Sequence, residues 1–371
     1  MKKNLFAFII ITVIINSCKT SQPVKYADNS IPVRGFCIVA PLPRTVDSFV
    51  HFINKDLAPR GVNVLVLRVD FNYQYTSHPE LSDSIALSKD DVKKIVAACK
   101  TNKIRLIPQV NLLGHQSWGN KTYSLLKKYP QLDETPGVIM PAKYQWPNED
   151  SLYCRSYCPL HPELHAIVFS LIDEICAVCE SDAFHAGMDE VFYIGDSKCP
   201  RCAGKDKAVL YAGEVTALRD HLAASKKELW IWGDRLLDGN STGLGMWEAS
   251  KNNTWPAIDL IPKDIMICDW HYERADKTPV YFAMKGFNVI TCPWRNAMIA
   301  NKQLEDIIAC RNESTGNMKP RFQGMMQTVW TSNSNFLKGF YENKIDTARG
   351  NKTEWYCFRE LYKSIGKLKN E

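Results

Sequence analysis

The chain has 371 residues, of which 45% are apolar and 23% are charged, and its formal net charge is +6 at pH 7. A chain of this length and composition can bury a large core, as expected of a globular protein. Because Lys and Arg are scattered and form no sustained basic block, the charge pattern argues against nucleic acid as the partner.

The first predicted element is an export signal. Lys2-Lys3 supply positive charge, residues 5–15 form an apolar run, and a small residue precedes Cys18. The apolar run is too short for a permanent membrane-spanning helix. The pattern resembles a bacterial lipoprotein signal over residues 1–18, in which Cys18 is lipidated; an ordinary cleaved signal with an incidental cysteine is the alternative. Residues 19–30 show no apolar periodicity and are predicted to be a polar tether.

With this anchor, the protein is expected to be attached by lipid to the bacterial cell envelope, facing the periplasm or the outer surface. The anchor is the only membrane contact expected. The working domain is predicted to span residues 31–371.

Short β-rich runs alternate with helical patterns along this domain. Eight runs are predicted as strands: Gly35–Ala40, Val62–Val69, Ile104–Leu112, Ala183–Met188, Leu229–Trp232, Ile265–Cys268, Phe287–Thr291 and Gly324–Val329. The predicted helices are Val46–Leu57, Lys89–Cys99, Leu164–Cys179, Ala208–Ala224, Gln303–Cys310 and Lys338–Asn343. This alternation predicts an α/β fold, a single (β/α)8 TIM barrel, with enlarged βα loops at 114–162 and 234–264.

Three pairs of cysteines lie close together in the sequence: Cys154 with Cys158, Cys176 with Cys179, and Cys199 with Cys202. The middle pair lies three residues apart in an apolar helical pattern, so two buried free thiols explain it most simply. For the outer two pairs, a disulfide or a structural zinc site is the alternative to free cysteines, because tetrahedral zinc favours short spacings. Either staple would brace loops without taking part in catalysis.

Polar and aromatic residues gather just after the predicted strands, at ends that converge on one mouth in a barrel. They are His115, Asp189, Glu190, Trp232, Asp234, Asp269, Trp270, His271, Tyr272, Trp294, Arg295 and Trp330. For any single Trp or His, core packing is the simpler explanation. Their joint placement predicts a functional pocket.

Two adjacent carboxylates, Asp189 and Glu190, close the apolar run that begins at His185. Cleavage of a glycosidic bond usually needs two carboxyl groups, one protonated to assist the leaving oxygen and one ionised to stabilise positive charge. Successive residues of a regular strand point to opposite faces, so the pair can serve one pocket only where the backbone becomes irregular. An acidic pair that caps the next helix or faces solvent is the alternative.

Together these motifs resemble the catalytic barrel of the family 20 glycoside hydrolases, the β-N-acetylhexosaminidases. The motifs are Arg34-Gly35 at the first strand, residues 61–65 at the second, residues 107–115 at the third, His185-x-Gly-x-Asp189-Glu190 at the fourth and Trp330 at the eighth. The resemblance covers residues 32–358 in the same order. The strand-four motif is the most specific of them.

The resemblance implies retaining hydrolysis in which the 2-acetamido oxygen of the sugar attacks its own anomeric carbon and gives an oxazolinium intermediate. Glu190 would protonate the leaving oxygen and then activate water, while Asp189 would orient the acetamide group. Arg34 would bind sugar hydroxyls with its planar set of donors. His115 and His185 would orient the two carboxylates.

The aromatic residues would line the acetamide and sugar pocket. The residues expected to bind substrate are Arg34, His115, His185, Trp232, Asp234, Trp270, Tyr272, Trp294 and Trp330. The expected partner is a glycan that carries a 2-acetamido sugar. This chemistry implies no metal and no organic cofactor.

The sequence departs from the family pattern at two strand ends. Trp294 is followed by Arg295, where the family usually has Tyr and then Asp, and the usual Trp-x-Glu reads Trp330-Thr331-Ser332. Tyr272 is a candidate to replace the missing tyrosine hydroxyl. These losses leave a second hypothesis, a surface glycan-binding lipoprotein with a degenerate barrel.

A third hypothesis is a barrel hydrolase that works by double displacement. It would pair Glu190 with a distant carboxylate such as Asp234 or Asp269.

Overall fold

In the computed structural model, which describes residues 30–139, 154–343 and 350–368, parallel strands close into an eight-stranded barrel. In chain order the strands are β1 Val33–Val39, β2 Val64–Arg68, β3 Arg105–Leu112, β4 Ser117–Trp118, β5 Lys121–Thr122, β6 Ala183–Gly187, β7 Glu228–Trp232, β8 Met266–Trp270, β9 Asn288–Cys292 and β10 Phe322–Thr328. β4 and β5 form a separate antiparallel hairpin, and β10 pairs with β1 to close the barrel. The predicted (β/α)8 barrel is confirmed.

Helices alternate with these strands. They are α1 Val46–Phe52, which continues as a π-helical segment to Leu57, α2 Lys89–Thr101, α3 Ser124–Lys128, α4 Leu164–Val178, α5 Lys207–Ala224, α6 Thr278–Met284, α7 Ala297–Glu313, α8 Asn333–Glu342 and α9 Glu354–Lys367. None of those in the described ranges has both the length and the apolar character needed to cross a bilayer.

Sequence patterns located the long helices and missed the short or aromatic ones. α3, α6, α9 and the β4–β5 hairpin were not predicted, and α7 begins six residues before the predicted Gln303. The side chain of Asn296 accepts a hydrogen bond from the Met298 N–H and caps this earlier start. In α9 the aromatic residues favour strand by propensity, and the packing of its buried face on the barrel decides for helix.

Alternate side chains of each strand face the barrel interior and the surrounding helices, so the core has two parts. In β8, Cys268 and Trp270 face the barrel interior together with Trp232 of β7, whereas Ile267 packs in the layer between the strands and the helices. Because Trp232 and Trp270 are the last residues of their strands, two indole rings lie inside the barrel at its carboxyl end. These two rings therefore form the bottom of the pocket at the barrel mouth.

Candidate active site

The two carboxylates lie just beyond the end of β6, where the backbone leaves the extended conformation. Met188 and Glu190 have positive φ angles of 71° and 48°, in a region that non-glycine residues rarely occupy. Gly187, with φ of 71°, has no room for a side chain, because a Cβ there would lie 2.6 Å from Asn111 Oδ1. A non-glycine residue held at a positive φ angle, such as Met188 or Glu190, costs about 1–3 kcal/mol. The predicted irregular backbone at this strand end is confirmed, and it turns both carboxylates toward the same side chain.

That side chain is His115. Its Nε2 lies 3.2 Å from Asp189 Oδ2 and 3.1 Å from Glu190 Oε2. Burial lowers the pKa of His115, but the influence of Cys154 and of the Asp189 carboxylate outweighs burial and raises this pKa well above its ordinary value. The raised pKa favours the protonated imidazole, which bridges the two carboxylates.

Asp189 is the better buried member of the pair. Burial raises its pKa, but the charge and hydrogen bond of His115, with a smaller contribution from His185, outweigh burial and lower the pKa below its ordinary value. The residue is thus held ionised. Its Oδ2 faces His115, whereas its Oδ1 is buried and has no hydrogen-bond partner among the described residues. A buried acceptor in this state is ready to receive a donor from a ligand.

Asp234 supports the pair from the end of β7. Its Oδ2 accepts hydrogen bonds from the Glu190 N–H at 2.9 Å and from Arg235 Nε at 2.7 Å, and its Oδ1 accepts one from Trp270 Nε1 at 3.2 Å. Burial raises the pKa of Asp234 to about 6, against the lowering effect of Arg235. Because three protein donors engage its two oxygens, Asp234 positions Glu190 and Trp270, and its contact with substrate remains a prediction.

Asp269, unlike Asp234, lies outside the pocket. It belongs to β8, between the inward-facing Cys268 and Trp270, and it points away from the barrel interior. Its Oδ2 accepts a hydrogen bond from Thr278 Oγ1 at 2.6 Å, and its Oδ1 lies 3.2 Å from His271 Nε2. The geometry therefore removes Asp269 from the double-displacement hypothesis, and it gives Asp234 a positioning role through three protein donors.

Aromatic rings extend from the carboxylates around the mouth. The Trp232 ring lies 4.5 Å from His185 and 5.9 Å from Trp330 between centroids. Trp330 Nε1 donates to the Tyr272 hydroxyl at 2.9 Å, and the Tyr272 ring lies 4.9 Å from Trp270 and 5.3 Å from Trp294. These rings form a continuous wall, and such a wall suits the apolar faces of a sugar ring.

The chain that builds this acid pair and aromatic wall is similar to known proteins. Residues 70–340 match the family model described as glycosyl hydrolase family 20, catalytic domain. The chain belongs to glycosyl hydrolase family 20.

Relatives within and around this family are distant in sequence. The chain is 23% identical to a β-hexosaminidase from Emericella nidulans over 293 residues, covering 72% of this chain and 44% of that protein. It is 25% identical to hexosaminidase D from Bos taurus over 186 residues, covering 48% of each. The fold resembles the crystal structure of Flavobacterium johnsoniae chitobiase with a TM-score of 0.62 and 18% identity, covering 91% of this chain and 51% of that one. The chain spans about half the length of these relatives.

Most of the predicted site residues meet in one connected group at the mouth of this family 20 barrel. The group contains His115, His185, Asp189, Glu190, Trp232, Trp270, Tyr272, Trp294 and Trp330. Cys18 lies outside the described residues.

Arg34 is the clearest correction. It is the second residue of β1, at the end of the barrel opposite the mouth, and its buried guanidinium donates from Nε to Gly61 O at 2.8 Å and from Nη1 to Ile31 O at 2.9 Å. Both acceptors precede strands. Arg34 ties the closed end of the barrel together and cannot reach a sugar at the mouth.

Arg68, which the sequence analysis did not select, occupies the place that Arg34 was expected to fill. It is the last residue of β2, and its guanidinium lies 4.4 Å from the centre of the Trp330 ring while one nitrogen donates to Val329 O at 3.1 Å. Its Nε is buried and has no hydrogen-bond partner among the described residues. A charged residue that ends the apolar run of a strand was the signal that could have identified it.

Glu354 is a second residue that the sequence analysis missed. This buried first residue of α9 accepts hydrogen bonds from Trp294 Nε1 at 2.5 Å, from the Trp330 N–H at 2.7 Å and from the Thr331 N–H at 3.2 Å. Glu354 therefore places a carboxylate near the end of β10, the eighth barrel strand, where the sequence lacks the expected glutamate. It holds Trp294 and Trp330 in place. Because it comes from an unpredicted helix 24 residues after Trp330, no local pattern pointed to it.

Proposed function

We propose that the chain is a glycosidase that removes N-acetylhexosamine residues from glycans by substrate-assisted, retaining hydrolysis. The observation that carries the proposal is the pairing of Glu190 with an ionised Asp189 whose Oδ1 is buried and has no protein donor. An acetamide N–H is a donor of the kind this oxygen lacks. Family membership and the two hexosaminidase relatives support the same activity.

In the proposed reaction, Asp189 Oδ1 accepts the acetamide N–H and stabilises the positive charge that develops on this nitrogen. The acetamide oxygen then attacks the anomeric carbon as the glycosidic bond breaks, and Glu190, in its protonated form, gives its proton to the leaving oxygen. Glu190 next takes a proton from the water that opens the oxazolinium ring. His115, which contacts both carboxylates through Nε2, keeps them aligned with each other.

The sugar is proposed to lie against the aromatic wall. Trp232, Trp270 and Trp330 enclose the acetamide group, and Tyr272 is the candidate hydroxyl for the acetamide oxygen, since no tyrosine follows Trp294. Arg68 takes the role of hydroxyl-binding arginine, because its guanidinium faces the mouth beside Trp330. Arg295, whose guanidinium lies 4.0 Å from the centre of the Trp294 ring, adds a second cation at this rim.

Turnover of aryl 2-acetamido-2-deoxy-β-glycosides, in gluco and galacto forms, tests the proposal on the full chain. We expect activity that falls by about a hundredfold or more in Glu190→Gln, because the variant cannot transfer the proton. The matched control is Glu313→Gln, at an exposed glutamate of α7, which should leave turnover unchanged. If neither aryl glycosides nor a glycan panel are cleaved, but glycans still bind, the chain is a binding protein and the proposal is wrong.

The N-terminus supports a further proposal, that the protein is a lipoprotein of the bacterial cell envelope. It rests on the charged, apolar and small-residue pattern that ends at Cys18. Metabolic labelling with a fatty acid in a bacterial host should mark the full chain and leave Cys18→Ala unlabelled. Equal labelling of both proteins, or of neither, would contradict lipidation at Cys18.

A further inference from the structure

Four side chains that the glycosidase chemistry does not use converge where the loops after β3 and β6 meet. They are Glu134, Cys158, Cys199 and Cys202, all buried, and one ligand atom from each lies within 4.8 Å of those of the other three. The Sγ atom of Cys158 lies 3.4 Å from that of Cys202 and 3.4 Å from that of Cys199. The members come from three separate chain segments in the loops after β3 and β6, so the fold and not a local turn brings them together.

This cluster differs from the cysteine set that the sequence suggested. Cys154 is not a member, because its Sγ instead accepts a hydrogen bond from the His115 N–H at 3.0 Å. Glu134 takes its place. A single disulfide among three cysteines would leave one thiol and a buried carboxylate unexplained.

The Glu134 carboxylate carries the independent evidence for a ligand. Its Oε1 accepts a hydrogen bond from the Asp196 N–H at 3.1 Å, whereas its Oε2 is buried and has no partner within hydrogen-bond distance among the described residues. The thiols of Cys199 and Cys202, which are weak donors, lie beside this carboxylate. A buried carboxylate oxygen served only by weak donors is costly. A cation bound between this oxygen and the three sulfurs would remove that cost.

The donor set fits one metal in particular. Tetrahedral zinc binds Cys sulfur at about 2.3 Å, which places two ligating sulfurs about 3.8 Å apart, and it accepts a carboxylate as fourth ligand. The Cys199-Pro-Arg-Cys202 segment has the two-residue spacing common in structural zinc sites.

We propose that Glu134, Cys158, Cys199 and Cys202 form a structural zinc site. The three thiols lose their protons as the metal binds, and four protein ligands leave no open position, so the zinc takes no part in hydrolysis.

The zinc site braces the loops that hold the acid pair. Cys199 and Cys202 lie in the loop that follows Glu190, and Cys158 follows Tyr157, whose N–H donates to Leu113 O at 3.0 Å in the segment leading to His115. Glu134 is tied to the segment that holds Cys158, because its N–H donates to Ser156 O at 3.0 Å. One metal thereby joins the loop after β3 to the loop after β6.

Metal analysis of the full chain tests this proposal. The protein should be purified in detergent without a metal-affinity column, and its zinc content measured by mass spectrometry of the elements. We expect about one zinc per chain, and titration of the thiols with a mercurial should release it. Less than about a tenth of an equivalent, together with a disulfide between two of the three cysteines in a peptide map, would overturn the proposal.

Variants locate the site. Cys199→Ser and Cys202→Ser should lose the zinc and melt at a lower temperature, whereas Cys154→Ser and Cys176→Ser, at two other buried cysteines, should keep it. Zinc content that survives in Cys199→Ser would contradict the assignment. Should these variants fail to fold, cobalt exchanged into the wild-type chain decides: thiolate-to-cobalt charge-transfer bands with tetrahedral d–d bands support the site, and octahedral bands without sulfur coordination overturn it.

Discussion

Two arginines on neighbouring strands have opposite roles in this barrel. Arg34 is the second residue of β1, at the closed end, and backbone carbonyls of Gly61 and Ile31 accept its hydrogen bonds. Arg68 ends β2 at the mouth and lies over Trp330, with its buried Nε unpaired among the described residues. Both residues are arginines, so their different roles come from the end of the strand at which each one lies.

Buried polar atoms without a partner among the described residues also gather at the mouth. They include Arg68 Nε, His185 Nε2, Asp189 Oδ1 and Trp232 Nε1. Positive φ angles do not distinguish the two ends, because Lys103, Glu180 and Lys226, which precede strands, have them as well as Met188 and Glu190. Buried polar atoms without partners destabilise a fold, so they persist where they serve binding or catalysis. Substitutions at the mouth should therefore change activity, and substitutions at the closed end should change stability.

The largest effect is expected at His115. In His115→Asn the carboxylates lose their shared cation, and we expect kcat/KM to fall by about a hundredfold because the reacting groups lose their alignment. His115 lowers the pKa of Asp189, so its removal raises that pKa and moves the acid limb of the pH–rate profile to higher pH. His51→Asn, at an exposed histidine of α1, is the control. An acid limb that stays in place would show that His115 does not hold Asp189 ionised.

A smaller effect is expected at Arg68. Arg68→Met keeps the aliphatic stem over Trp330 but removes the charged donors, and one lost charge-assisted hydrogen bond to a sugar hydroxyl should lower kcat/KM about tenfold. The melting temperature should change little. A large loss of stability with unchanged kcat/KM would give Arg68 the structural role assigned to Arg34.

The smallest effect on activity is expected at Arg34. Arg34→Met leaves two buried carbonyls without their donor, and the free energy of unfolding should fall by about 2–3 kcal/mol. Steady-state kinetics below the melting temperature should match the wild type within about twofold, because the residue lies away from the chemistry. If kcat/KM drops tenfold in a folded Arg34→Met, the contrast between the two ends fails.

The sequence was sufficient for the barrel and for the acid pair. Each predicted strand overlaps an observed strand. Buried parallel strands are continuous apolar runs, and Gly, Pro and polar residues mark where each run begins and ends. The pair at Asp189 and Glu190 was recognisable because both carboxylates follow one such run directly.

Contacts between distant segments could not be read from local patterns. Motif resemblance selected Arg34, but only the strand bounds reveal at which end of the barrel it lies. Glu354 and Glu134 are single carboxylates in stretches with no distinctive pattern, and each acquires its role from residues at least 23 positions away. Spacing likewise suggested Cys154 as a partner of Cys158, whereas the fold assigns it to the His115 backbone.

The most direct test of substrate assistance is the inhibition constant of a thiazoline that mimics the oxazolinium intermediate, measured for the full chain and for Asp189→Asn. We predict competitive inhibition far tighter than by the free 2-acetamido sugar, because an enzyme binds a mimic of its intermediate more tightly than it binds the product. The inhibition should weaken by at least about tenfold in Asp189→Asn, where the acceptor for the ring nitrogen loses its charge. A wild-type chain that cleaves the glycosides but binds the thiazoline no better than the sugar would contradict the account.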